Sequence, residues 1–180
     1  MSTTRLLLLG VLMDRPLHGY EVRRTLELWG AEGWANVAYG SIYFGLRRMA
    51  GEGLVEVVGE ESRGQGAPRT VYAITDSGEA EFHRLLRHHW WEVKPPADPF
   101  QTALTFMQHL ERPELLAALR HRTTVLEGHL ERLDYVSGQK IDAGAPAHIA
   151  ENIRLGTAHV TAALSWLKEI TAKVEQGEVP

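Results

Sequence analysis

From Ala38 to Val55 the chain reads Ala-Tyr-Gly-Ser-Ile-Tyr-Phe-Gly-Leu-Arg-Arg-Met-Ala-Gly-Glu-Gly-Leu-Val, and Thr70 to Thr75 reads Thr-Val-Tyr-Ala-Ile-Thr. Ser41 is a suitable N-cap, since its hydroxyl can accept a bond from an orphan amide of a following first turn. Ile42, Leu46 and Met49 then recur at i, i+4 and i+7, which predicts one apolar face of a short helix. Gly53 is a natural residue to end it. Leu54 to Gly59 alternates apolar and polar only loosely, and Thr70 to Thr75 does the same around Val71, Tyr72 and Ile74. The ten residues between them, Glu60 to Arg69, hold two glycines and a proline and are assigned to neither strand. A short helix followed by a two-stranded hairpin with a basic tip is the second half of a winged helix-turn-helix.

Such a helix has the dimensions to enter a DNA major groove. With Ile42, Leu46 and Met49 turned inward, Ser41, Phe44, Gly45 and Arg48 are expected on the opposite face, with Tyr43 and Arg47 flanking it. Hydroxyls and guanidinium groups there can bond phosphates or base edges. Tyr39 stands just before the helix and joins these candidates. Arg63, Gln65 and Arg69 lie on the hairpin tip, placed to reach a neighbouring groove or the backbone. Tyr20, at the start of an earlier helix, is placed to donate to a phosphate where that helix crosses the backbone. The plain alternative is a solvated, charged surface, or for Tyr20 a half-buried packing residue. Arg47-Arg48 alone decides nothing; its place on a helix–hairpin unit favours DNA.

At these residues the chain resembles the PadR family of transcriptional regulators. The matching pieces are Leu6 to Leu12 with Pro16-Leu17-His18-Gly19-Tyr20-Glu21-Val22, then Gly40-Ser41-Ile42-Tyr43 with Leu46-Arg47-Arg48-Met49, then Glu52-Gly53-Leu54-Val55. They close with Pro68 to Gly78. Four segments in the family's order are far more specific than one motif. Phe44 departs from the pattern, where the family commonly has proline. The resemblance implies a dimeric repressor whose C-terminal helices dimerise and whose operator affinity answers to a small molecule or other signal.

Composition sets limits. The 180 residues suit one or two small domains with ample apolar content. With no cysteine, neither disulfides nor thiolate metal sites can form, and a reducing, cytoplasmic setting is expected. The Leu6 to Leu9 run is too short for a membrane span and reads as a core helix rather than a leader. Net charge is −4, which is unfavourable for a DNA binder. Up to Lys94 there are eleven basic and twelve acidic residues, and beyond it eight and eleven. Any basic surface is therefore local.

Three prolines between Pro95 and Pro99 mark the clearest boundary. It divides a winged helix-turn-helix at 1–94 from a helical dimerisation or regulatory domain at 95–180, giving a mainly α fold. In the first part, Thr4 to Met13 and His18 to Leu28 read as helices, Trp29 to Val37 as a turn with aromatic anchors, and Asp76 or Ser77 as the cap of a helix to about Trp91. In the second, Asp98-Pro99 restarts a helix, with Phe100, Leu104, Met107 and Leu110 at helical spacing. A long helix then runs from Arg112-Pro113 to about Ser137. From Pro146 to about Glu175, Ile149, Ile153, Gly156, Val160, Ala163, Leu167, Ile170 and Val174 step by four and three, a heptad seam. Ile153, Gly156, Val160, Ala163, Leu167 and Ile170 are the expected dimer interface. An intramolecular hairpin explains one seam, while Leu155, Leu164 and Trp166 suggest a second contact.

Catalysis finds no assembled constellation, so no enzyme is expected. His83, His88 and His89 are spaced by five and six, not the three or four that converge on a metal. No metal or cofactor is expected. Trp90 and Trp91 invite a pocket that stacks a small aromatic or hydrophobic effector, against the simpler reading that they join the two domains. The expectation is a sequence-specific DNA-binding transcriptional regulator, a homodimeric repressor on a near-palindromic operator, released by a small ligand. Its helices would enter successive major grooves about 34 Å apart. The competing class is a winged-helix protein-interaction module without its own operator, which the net negative charge favours.

Overall fold

The computed structural model describes residues 3–35, 37–61, 69–94 and 98–179. The chain divides into two compact units, residues 1–94 and 95–180. The first contains α1 (Thr3–Val11), β1 (Leu17–His18), α2 (Gly19–Trp29), α3 (Ala31–Ala35), α4 (Ile42–Gly51), β2 (Val55–Glu61), β3 (Arg69–Ile74) and α5 (Asp76–Trp91). Its sheet is antiparallel in the order β1-β3-β2, with Leu17 opposite Tyr72 and Val55 opposite Ile74.

Burial follows the apolar periodicity. Leu8 and Leu9 from α1 with Leu12 just beyond its end, Val22 and Leu26 from α2, and Ile42, Leu46 and Met49 from α4 form one core with Leu17, Val55 and Tyr72. Large apolar side chains withdrawn from water in this way dominate the favourable side of folding. The helix face read at i, i+4 and i+7 is thus the buried face of α4. Gly53 has φ of +72°, and the Leu54 amide donates to the Met49 carbonyl, the closing bond of a helix-end motif that only a residue free to adopt positive φ makes without strain.

Several local expectations are corrected. Ser41 does not cap α4 through its side chain; its hydroxyl donates to the Ala38 carbonyl at 2.7 Å, within a short 3₁₀ turn at Tyr39–Ser41 that already has helical geometry. Asp76 and Ser77 do not cap α5. Thr75 does, its hydroxyl accepting from the Gly78 amide at 3.1 Å while donating to the Gly53 carbonyl at 2.7 Å. One hydroxyl thereby ties the start of α5 to the end of α4. The hairpin runs further than the alternation showed: Glu60, Glu61 and Arg69 belong to the strands, with Glu61 opposite Arg69. A register shift between Val57 and Gly59 had blurred the period. Helix α3 replaces the expected turn, and β1, two residues long, is too short to show any alternation.

The second unit contains α6 (Pro99–Leu104), a 3₁₀ turn at Met107–His109, α7 (Arg112–Asp142) and α8 (Ala147–Gln176). Asp98 caps α6, accepting from the Phe100 amide at 2.8 Å, with Pro99 next to it. The helical spacing from Phe100 to Leu110 belongs to two short elements rather than one helix. The long helices pack antiparallel: Arg112 and Arg120 of α7 both reach Glu175 near the end of α8, and Leu133 lies beside Gly156. Leu115, Leu119, Leu167 and Val174 form the core between them.

Candidate nucleic-acid interface

Helix α4 leaves Tyr43, Phe44, Arg47 and Arg48 at the surface opposite its buried stripe. Phe44 is 66% exposed. Gly45 departs from expectation. A Cβ there would stand 2.6 Å from Leu8 Cδ1, so Gly45 faces α1 and lets the two helices approach. Ser41 is exposed, but its proton is committed to Ala38. Its oxygen still offers an acceptor.

The two arginines of α4 are held differently. Arg47 donates only to the Tyr43 carbonyl, at 3.3 Å, and meets no carboxylate among the described residues. Arg48 donates to Glu52 at 2.9 Å. Tyr43 packs its ring over the first turn of α2, against Gly19. Tyr20 of α2 is 58% exposed, and Arg24, four residues on and therefore on the same helix face, is exposed too. Arg24 was not among the sequence candidates, although its spacing from Tyr20 was visible. Tyr39 is half-buried, with the Arg23 guanidinium 5.9 Å over its ring; burial is the main reason its hydroxyl ionises above the usual range. Its phenol belongs more to packing than Tyr20's does.

Glu21 orders this edge. Its carboxylate accepts from the His18 amide at 3.0 Å and pairs with Arg15, and these bonds, the backbone one first, hold it below the usual carboxylate range. Arg63 and Gln65 lie outside the described residues. Arg69 is placed in β3, but its side chain is not described.

The remaining candidates lie elsewhere. Trp90 and Trp91, at the end of α5, are 78% and 84% exposed. A cavity of about 300 Å³ exists in the second unit, lined by Phe100, Leu104, Arg122, Leu126, Trp166 and Leu167. Arg122 stacks on Phe100 at 3.5 Å and Trp166 meets that ring edge-on at 5.9 Å. Of the expected dimer residues, Ile153 and Leu167 are buried within their own chain, and Gly156, Val160, Ala163 and Ile170 are half-buried. The hairpin with α7 therefore uses much of the seam, because two amphipathic helices joined by a short turn cover each other first. Leu155 of α8 is 58% exposed and Val125 of α7 50%. Among the described residues no three His, Asp or Glu side chains converge as a metal would need, and no helix is long and apolar enough to cross a membrane.

Comparison with known proteins agrees with this geometry. Residues 8–84 match the transcriptional regulator PadR-like family. No curated protein sequence matches the chain. Among solved structures, Bacillus subtilis PadR in complex with operator DNA is similar at a TM-score of 0.77 and 20% identity, covering 94% of this chain and 98% of that one. The same protein with p-coumaric acid gives 0.74 and 21%, over 95% and 98%. The Vibrio cholerae virulence activator AphA gives 0.75 and 17%, over 97% and 99%. At such identities the likeness is one of fold. The segment that matches the PadR-like family of transcriptional regulators, residues 8–84, is the one that carries α4, β2 and β3.

Proposed function

We propose that this protein is a homodimeric repressor that reads a near-palindromic operator with α4 and is released by a small aromatic or hydrophobic ligand. The observation that carries the reading is the outward face of α4: Tyr43, Phe44, Arg47 and Arg48 stand exposed on a helix whose other face is locked into the core. Rigid presentation of donors and an apolar side chain suits a major groove. Tyr20, Arg24 and Ser41 would position the helix on phosphates, and Arg63, Gln65 and Arg69 of the wing would extend the contact. With a net charge of −4, a single chain has few phosphate contacts to offer, so doubling them in a dimer is a physical requirement for tight binding.

The second unit supplies the dimer in this reading. Leu155 and Val125 offer apolar surface beyond the seam already used in the hairpin, and Val160, Ala163 and Ile170 are open enough to contribute. The Phe100–Trp166 cavity has the aromatic lining a small planar ligand needs. Exposed Trp90 and Trp91 would be covered only on assembly. That PadR of B. subtilis has been solved with operator DNA and with p-coumaric acid supports both partner classes. AphA, an activator, leaves the direction of control to experiment. Ligand binding would release DNA by favouring a spacing of the two α4 helices unsuited to successive grooves.

The decisive experiment is binding of the purified protein, at two salt concentrations, to the intergenic DNA beside its own gene. Tight, salt-sensitive binding that survives non-specific competitor is expected. Binding no better than to random DNA at either salt would favour an interaction module without an operator.

A further inference from the structure

Five charged side chains of the first unit form an alternating chain of ion pairs: Arg48, Glu52, Arg5, Glu81 and Arg84. Glu52, the C-cap of α4, sits between two cations. Arg48 donates to it at 2.9 Å and Arg5 of α1 donates to its other oxygen. Arg5 also reaches Glu81 of α5 at 3.5 Å, and Arg84 pairs with Glu81 at 2.6 Å. The middle of the chain is anchored, with Arg5, Glu52 and Glu81 side chains 27%, 32% and 17% exposed; Arg48, at its end, is 65% exposed. The pairs rim a groove of about 420 Å³ between α1, α4 and α5, which Phe44 also lines.

Arg47, one residue earlier, has no carboxylate partner among the described residues. Adjacent arginines on one helix are thus committed differently, and the difference is made by Glu52.

We propose that Glu52 is a specificity-determining residue, holding Arg48 in an intramolecular ion pair that a sequence-independent phosphate has to displace. The inference rests on the DNA-binding reading of α4. Carboxylate and phosphate compete for the same guanidinium fork. Exchanging Glu52 for an arbitrary phosphate replaces one charged partner by another and gains little, so Arg48 adds little to non-specific binding. A base edge or phosphate already held in register by the other contacts arrives without that ordering cost and wins the exchange. Arg47, unpaired with any carboxylate among the described residues, serves both modes of binding alike.

The test is equilibrium binding of the full chain to a random-sequence duplex pool and to the duplex that the wild-type protein enriches from that pool. Wild type, Glu52→Gln, Arg48→Ala and the double variant are compared. Glu52→Gln is expected to tighten binding to the random pool about twofold to fivefold, the strength of an exposed ion pair. It should also steepen the salt dependence by about one phosphate contact and narrow the ratio of enriched to random affinity. With Arg48→Ala present, Glu52→Gln should change nothing. Equal tightening with and without Arg48 would mark a bulk charge effect and overturn the proposal, as would an unchanged ratio. Failure of the wild type to enrich any duplex would overturn the DNA-binding reading and this inference together. Should Glu52→Gln lose its fold with the Arg5 pair, Glu52→Asp keeps the charge, shortens the reach to Arg48 and is read in the same cycle.

Discussion

A Cβ on Gly19 would stand 2.9 Å from Cε1 of Tyr43. The first turn of α2 and the exposed edge of α4 are therefore fitted to each other through a residue with no side chain. Gly19→Ala would push the Tyr43 ring outward, toward the surface proposed to meet DNA. Because the obstructing group is a ring that can rotate, stability should change by no more than about 1 kcal/mol. Operator affinity should fall severalfold in a direct titration. Unaltered affinity would remove the Tyr43 orientation from the interface.

Gly78→Ala should act on the fold instead. Its Cβ would come within 2.0 Å of the Leu54 carbonyl oxygen, which also accepts from the Thr75 amide. Backbone cannot swing aside as a ring can. A loss of about 1–3 kcal/mol is expected from the overpacking, measured by urea unfolding. A midpoint equal to wild type would show that the Thr75 junction is loose.

Arg47→Ala should weaken DNA binding and lower the slope of log affinity against log salt by about one contact per chain. The measurement is a salt titration of the operator complex. An unchanged slope would place Arg47 off the phosphates.

Along the helical hairpin, two apolar residues should behave differently. Leu167 is buried between α7 and α8, so Leu167→Ala should cost about 2–5 kcal/mol of stability. Leu155 is 58% exposed, so Leu155→Glu should leave the fold intact and reduce dimer content and DNA affinity, as should Val160→Glu. Sedimentation of the variants separates these outcomes, and a Leu155→Glu protein that is still dimeric and still binds tightly would exclude that face.

Acid should weaken the first unit. Glu21, bonded first by the His18 amide, and Glu81, bonded first by Arg84, both ionise below the usual carboxylate range. A depressed folded value adds stability that is complete above the unfolded value and is lost as pH falls through the folded one. Melting temperature should therefore hold near neutrality and decline below about pH 4.3, the unperturbed glutamate value. Glu21→Gln with Glu81→Gln should flatten that decline; an acid limb identical to wild type would assign it to other groups.

The sequence by itself determined the buried stripe of α4, the end of that helix at Gly53, the two strands of the wing and the two long helices. Each is a local pattern, set by helical or strand period or by the backbone freedom of glycine and proline. The caps by Thr75 rather than Asp76, the two-residue strand β1 and the turn of Gly45 toward Leu8 were decided by tertiary structure. Each depends on a partner far along the chain. So does the commitment of Arg48. Glu52 at i+4 was in plain view, but only the fold brings Arg5 and Glu81 beside it and makes one helical pair into a chain of five. The seam of α8 was legible as a stripe, yet which partner covers it is a competition between faces. Packing against Leu115 and Leu119 of α7 decided it for Leu167.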